Sequence, residues 1–260
     1  MAELIIKKEN GIGWVIFSNL PKLNAVTYDM WVAFPKALAA FDADPQVRVV
    51  VVTGDGEKAF ISGADISQFE KNRGTADAQA IYNAATAEAY LAPARCGKPV
   101  IAKIRGVCVG GGLGLAAMCD MRFASTDAIF RMPAARLGLG YGYSGLRRLV
   151  ELMGQANTAD IFLSARKFGA ADALHMGFVN KVVPVAEIDQ MVAEYCKMIA
   201  ENAPLTVAAA KFTIGQMRFQ ADQAMLDEVQ RRVDRCFGSE DFKEGRTAFM
   251  EKRTPQFKGK

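Results

Sequence analysis

The chain has 260 residues, of which 51% are hydrophobic and 23% charged, and no low-complexity tract. That is enough to bury a sizeable core as one domain with a smaller appendage. The 32 basic residues, well interspersed with 28 acidic ones, leave a charge of +4, a weak case for nucleic acid that suits a nucleotide-bearing small molecule at least as well. Five cysteines without a CxxC spacing and a single histidine, His175, argue against zinc and for buried, reduced thiols in a cytoplasmic protein. The opening MAELIIKKENGIGWVIF lacks the layout of a secretory signal, and no run of about 18 apolar residues suggests a membrane span.

Trp14 to Ser18 and Val47 to Thr53 are β-branched runs that read as strands, with the helical-looking Tyr28 to Ala43 between them. A second unit follows: an alanine-rich helix over Thr75 to Leu91, a strand over Pro99 to Arg105, and a small-residue helix over Gly110 to Met118 that runs into the apolar Met121 to Ala124. From Gly145 onward the pattern is mostly helical, broken by Phe178 to Val183 and Pro184, and it ends with Pro204 to Phe219 and Ala221 to Phe237. The expected class is α/β, with an α/β core over residues 1–200 and a helical region over 201–260.

Two glycine-centred segments stand out. Phe60-Ile61-Ser62-Gly63-Ala64-Asp65-Ile66 places small residues at a strand-to-helix junction, where a ligand can approach the backbone. Gly106-Val107-Cys108-Val109-Gly110-Gly111-Gly112-Leu113-Gly114 opens a helix and so presents free N–H groups and a positive dipole end. The run is neither a GxGxxG dinucleotide fingerprint nor a phosphate loop with its lysine.

Together the segments resemble the two signatures of the crotonase, or enoyl-CoA hydratase/isomerase, superfamily. Asn19-Leu20-Pro21-Lys22-Leu23-Asn24-Ala25, Leu174-His175-Met176-Gly177-Phe178-Val179-Asn180-Lys181-Val182-Val183 and Phe249-Met250-Glu251-Lys252-Arg253 are similar to further segments of that family, so the resemblance runs nearly the whole length. It implies a spiral of ββα units with a helical, trimer-forming C-terminal region, assembled as trimers or hexamers. It also implies an acyl-CoA substrate, no cofactor beyond the CoA the substrate carries, and no metal. The N–H groups of Ala64 and Gly111 are then expected to form an oxyanion hole for the thioester oxygen, each donor contributing about 3 kcal/mol to the barrier. Ala25, Ser62 and Ile66 are carried over to the CoA path, and Lys22 or Lys58 to its phosphates. Phe249 and Lys252 are expected to close the pocket from a neighbouring subunit. A solvated surface charge is the more ordinary reading of each lysine alone.

The resemblance also exposes a departure. Hydratases of the superfamily use two glutamates as acid and base, but the matching positions here are Gly114 and Ala134. Neither moves a proton, so water addition by that route is not expected. Asp65 reads better as a helix cap, Asp120 as structural, Arg136 as a surface residue and His175 as a satisfied structural histidine. Tyr141 resembles a tyrosine of the superfamily's methylmalonyl-CoA decarboxylases, and Tyr143 stands beside it. Decarboxylation makes its own enolate, so an oxyanion hole plus a tyrosine could suffice. The alternatives are a hydratase or isomerase with relocated acid/base groups, and a binding protein for acyl-CoA or RNA that has lost its catalytic side chains.

Overall fold

The computed structural model describes residues 2–65, 67, 75–217, 219–220 and 222–260. Strand β1 (Glu3–Glu9) precedes the first strand expected from the sequence and pairs antiparallel with β2 (Ile12–Ser18). Their two-residue link, Asn10-Gly11, has positive φ at both positions, 50° and 76°. That is the turn whose twist matches a hairpin. Helix α1 (Tyr28–Ala43) starts where the Thr27 side chain accepts a hydrogen bond from the Met30 N–H, and it buries Met30, Trp31, Phe34, Leu38 and Phe41.

The chain then repeats one device. Strand β3 (Val49–Gly54) leads to the short β4 (Ala59–Ile61) and helix α2 (Ala76–Arg95). Strand β5 (Val100–Ile104) leads to β6 (Val107–Val109) and helix α3 (Gly111–Met118). Strand β7 (Met121–Ser125) leads to β8 (Ile129–Arg131) and helix α4 (Tyr143–Ser164), which is interrupted at Gly154. In each turn the first strand joins one sheet and the second joins another. With β9 (Lys167–Gly169), α5 (Ala170–His175) and β10 (Lys181–Val183), the sheets become β1-β2-β3-β5-β7-β10 and β4-β6-β8-β9. All pairs are parallel except β1–β2 and β8–β9. This is the expected spiral of ββα units.

Parallel strands covered on both faces should be apolar throughout, and Val49 to Val52 are all fully buried. Val50 and Val52 face the main core with Trp31, Phe34, Leu113 and Phe130. Val49 and Val51 face Ile188, Val192 and Cys196 of α6 (Ile188–Ala200). Helices α7 (Pro204–Gln216), α8 (Gln223–Phe237) and α9 (Glu240–Glu251) complete the helical C-terminal region. Lys211 ties α7 to the core: its ammonium meets Asp120 at 2.8 Å and donates to the Pro93 and Lys98 carbonyls. Asp120 also accepts from the Val100 N–H at 2.7 Å, a structural role. No described helix is long and apolar enough to cross a membrane.

Candidate active site

The site forms where β4 and β6 lie side by side and both chains leave the sheet. Past β4, residues 62–65 run along the segment 23–26: Ser62 N–H donates to Leu23, Val26 N–H to Gly63 and Asp65 N–H to Val26. In this parallel bridge the pleat turns the Ala64 N–H to the opposite side. On that side lies the end of β6, for a Cβ on Gly63 would sit 3.5 Å from the Val109 carbonyl oxygen and one on Gly110 would sit 4.0 Å from the Gly63 Cα.

Gly110 turns the chain out of β6 with φ 54° and ψ −114°, a conformation that needs glycine, and helix α3 begins at the next residue. The Gly111 N–H belongs to the first turn, which has no intrahelical acceptor. Neither the Ala64 nor the Gly111 N–H has an acceptor among the described residues. Two adjacent donors, one at a helix N-terminus, favour negative charge.

The supports are better satisfied than the donors. Asn24, fully buried, donates to the Asp55 and Ala59 carbonyls at 2.9 and 2.8 Å and accepts from the Asn19 N–H, which fixes the segment that aligns Ala64. At the other end of α3, the buried Arg122 donates to the carbonyls of Ala116, Cys119 and Phe178, and Arg148 to that of Ala117. Burial, with Arg148 nearby, pulls the Arg122 guanidinium down to about 10, so it remains a cation at neutral pH beside the negative end of the helix.

The expected CoA residues are spread around this centre. Ala25 is buried in the 19–26 loop, its carbonyl held by Asn19 at 2.9 Å, and the Ser62 hydroxyl donates to the Lys22 carbonyl. Lys22 is engaged: its ammonium bridges both Asp65 oxygens at 3.0 and 2.9 Å and meets the Ser67 hydroxyl. Burial pushes the Asp65 carboxyl up, but hydrogen bonds from Lys22 and Ser67 outweigh it and hold the group below the usual carboxylate range. Any phosphate contact from Lys22 must first open this pair. Lys58 is exposed and lines a cleft of about 300 Å³ with Leu20, Leu23, Asn24 and Asp55. Ile66 lies outside the described residues. Phe249, 82% exposed, and Lys252, in the left-handed region just past α9, are at the C-terminal edge.

Gly114 is one turn into α3, on the face of Gly111, and Ala134 follows Pro133, whose Cδ would lie 3.8 Å from a Cβ on Gly110. Both positions therefore border the two donors. Tyr141 is half-buried, edge-on to Phe162 at 5.1 Å and close to Gly145, while Tyr143, Arg136 and His175 are exposed. Tyr90 on α2 escaped the sequence reading: a Cβ on Gly114 would lie 3.1 Å from its hydroxyl. Its only signal was an aromatic residue in an alanine-rich helix. Among the described residues no group of three or more His, Cys, Asp or Glu could hold a metal.

The sequence model of the enoyl-CoA hydratase/isomerase family matches residues 7–260. A crotonyl-CoA hydratase of Syntrophomonas wolfei is 34% identical over 98% of this chain and 97% of its own. A peroxisomal delta(3,5)-delta(2,4)-dienoyl-CoA isomerase of Arabidopsis thaliana is 35% identical over 69% of this chain and 68% of its own. The crystal structure of an enoyl-CoA hydratase/carnithine racemase from Magnetospirillum magneticum superposes with a TM-score of 0.93 at 33% identity, covering 100% of this chain and 97% of that one. The chain belongs to the enoyl-CoA hydratase/isomerase family of the crotonase superfamily, and its two-sheet spiral is that superfamily's fold.

Proposed function

We propose that this protein is an acyl-CoA enzyme that polarises its thioester between the N–H groups of Ala64 and Gly111 and carries the acyl group through an enolate. The observation that supports this most directly is the apposition of Gly63 with Gly110, which brings together two backbone donors that have no acceptor among the described residues. Charge that develops on the thioester oxygen meets donors that need no reorganisation. With glycine at 114 and alanine at 134, no carboxylate at either position can manage a water molecule. Loss of carbon dioxide from an acyl group bearing a carboxylate suits the site best. The electrons of the breaking C–C bond pass to the thioester oxygen, and the enolate carbon then takes a proton from Tyr141 or from water.

The substrate's own CoA is the only cofactor this chemistry uses. Residues 201–260 serve as the trimerisation region, with the exposed Phe249 and Lys252 reaching the pocket of the next subunit, in trimers or hexamers. The names of the relatives favour a second reading, hydration or isomerisation with acid/base groups placed elsewhere. A turnover panel separates them: methylmalonyl-CoA is expected to lose carbon dioxide while crotonyl-CoA keeps its enoyl absorbance. Rapid loss of that absorbance, abolished by Tyr141→Phe, favours the second reading. Failure of calorimetry to detect binding of butyryl-CoA at millimolar concentration overturns both.

A further inference from the structure

Gly111 and Gly114 lie three residues apart on one face of α3. A Cβ built on either would meet the same atom, the Tyr90 hydroxyl oxygen, at 3.5 Å from the first and 3.1 Å from the second. A phenol from a different helix thus stands where a side chain at 114 would begin. Standard bond lengths then put its oxygen within about 6 Å of the Gly111 nitrogen. A thioester oxygen about 3 Å from that nitrogen brings the second and third carbons of the acyl group within range of the phenol.

The ring is held in place. Trp31, fully buried, packs edge-on against it with centroids 5.6 Å apart, and the Trp31 indole is itself fixed by a 3.0 Å hydrogen bond to the Tyr82 hydroxyl. The hydroxyl contacts the Gly111 carbonyl at 3.4 Å, long beside the usual 2.7–2.8 Å for such a pair. A phenol O–H gains from an oxygen and gains nothing from a methylene.

Building on the thioester-binding reading, we propose that Tyr90 sets substrate specificity by donating a hydrogen bond to an oxygen on the third carbon of the acyl group. The site then selects CoA thioesters with a β-keto or β-carboxyl oxygen over saturated thioesters of equal length. Glycine at 114 is part of the same device, since any larger residue there displaces the phenol.

Titration of the full chain with acetoacetyl-CoA and butyryl-CoA, which differ only at the third carbon, tests this. The wild type is expected to favour acetoacetyl-CoA by about tenfold, the equivalent of one hydrogen bond. Tyr90→Phe keeps the ring against Trp31 and is expected to cut the preference to within about twofold, leaving butyryl-CoA affinity unchanged. Gly114→Ala is expected to lower the preference by moving the hydroxyl. Butyryl-CoA binding without a preference in the wild type, or with a preference intact in Tyr90→Phe, overturns the role of Tyr90 and leaves the thioester reading standing. Absence of binding by both thioesters overturns the two together.

Discussion

Gly112→Ala inserts one methyl group between α3 and β4. On the native backbone that methyl would sit 2.4 Å from the Ile61 carbonyl oxygen and 2.7 Å from the Ile61 Cβ. Non-bonded carbon contacts settle near 3.5–4.0 Å, so helix and strand must separate by about 1 Å. Both obstructing atoms belong to the strand or to its first side-chain carbon and cannot swing aside. Ala64 and Gly111 follow from these two elements, so their N–H groups part by a similar distance. Overpacking of this kind costs about 1–3 kcal/mol, a fall in melting temperature of roughly 2–10 °C for a chain of this size. A misplacement of about 1 Å costs on the order of 100-fold in rate. The assay pairs thermal unfolding with isotope-edited infrared spectra of bound, carbonyl-labelled butyryl-CoA, whose stretch falls in frequency when two donors hold it. Gly140→Ala, with no atom of the described residues within 4 Å of the new methyl, is the control and is expected to change neither readout. A Gly112→Ala protein that melts early yet keeps the full carbonyl shift would refute the assignment of the donors. One that melts normally would refute the packing argument.

Arg122→Met leaves three carbonyls without their buried donor and is expected to destabilise the chain by about 2–4 kcal/mol, read from the urea midpoint. The Asp65 carboxyl is held below its ordinary value in the folded state, so its stabilising contribution is complete above the unfolded value of about 3.9 and is lost as pH falls through the folded one. The stability gap between wild type and Asp65→Asn should therefore be flat from pH 8 to roughly 4 and shrink below it; a gap that widens in acid contradicts the Lys22 pairing. Burial pushes the thiols of Cys119 and Cys196 up to about 12 and that of Cys96 to about 11, and raises Cys108 as well. Ellman's reagent should label no more than the half-buried Cys236 in the native protein and all five thiols after denaturation.

The spiral was legible where one residue type repeats. Val49 to Val52 announce a strand buried on both faces, and Thr75 and Thr27 mark helix starts that the structure caps with their side chains. The second sheet was not legible, because β4, β6, β8 and β9 have three residues each, too short for any period to show. Strand β1 was missed for a different reason: Leu4 to Lys8 mixes charge with apolar residues as an edge strand does, although Asn10-Gly11 signalled the hairpin. The glycine segments were conspicuous because backbone donors require small residues. Tyr90 was hidden because its position depends on how α2 packs across α3, a contact between residues 21 and 24 positions apart that no local pattern encodes.

Helix α3 is tethered unequally. Its last carbonyls are gripped by Arg122 and Arg148, while the amide of Gly111 has no acceptor among the described residues. An element anchored in this way has no reason to reorient when a guest arrives or departs. Stopped-flow association should therefore be a single phase, linear in ligand concentration, without the plateau that a preceding rearrangement imposes.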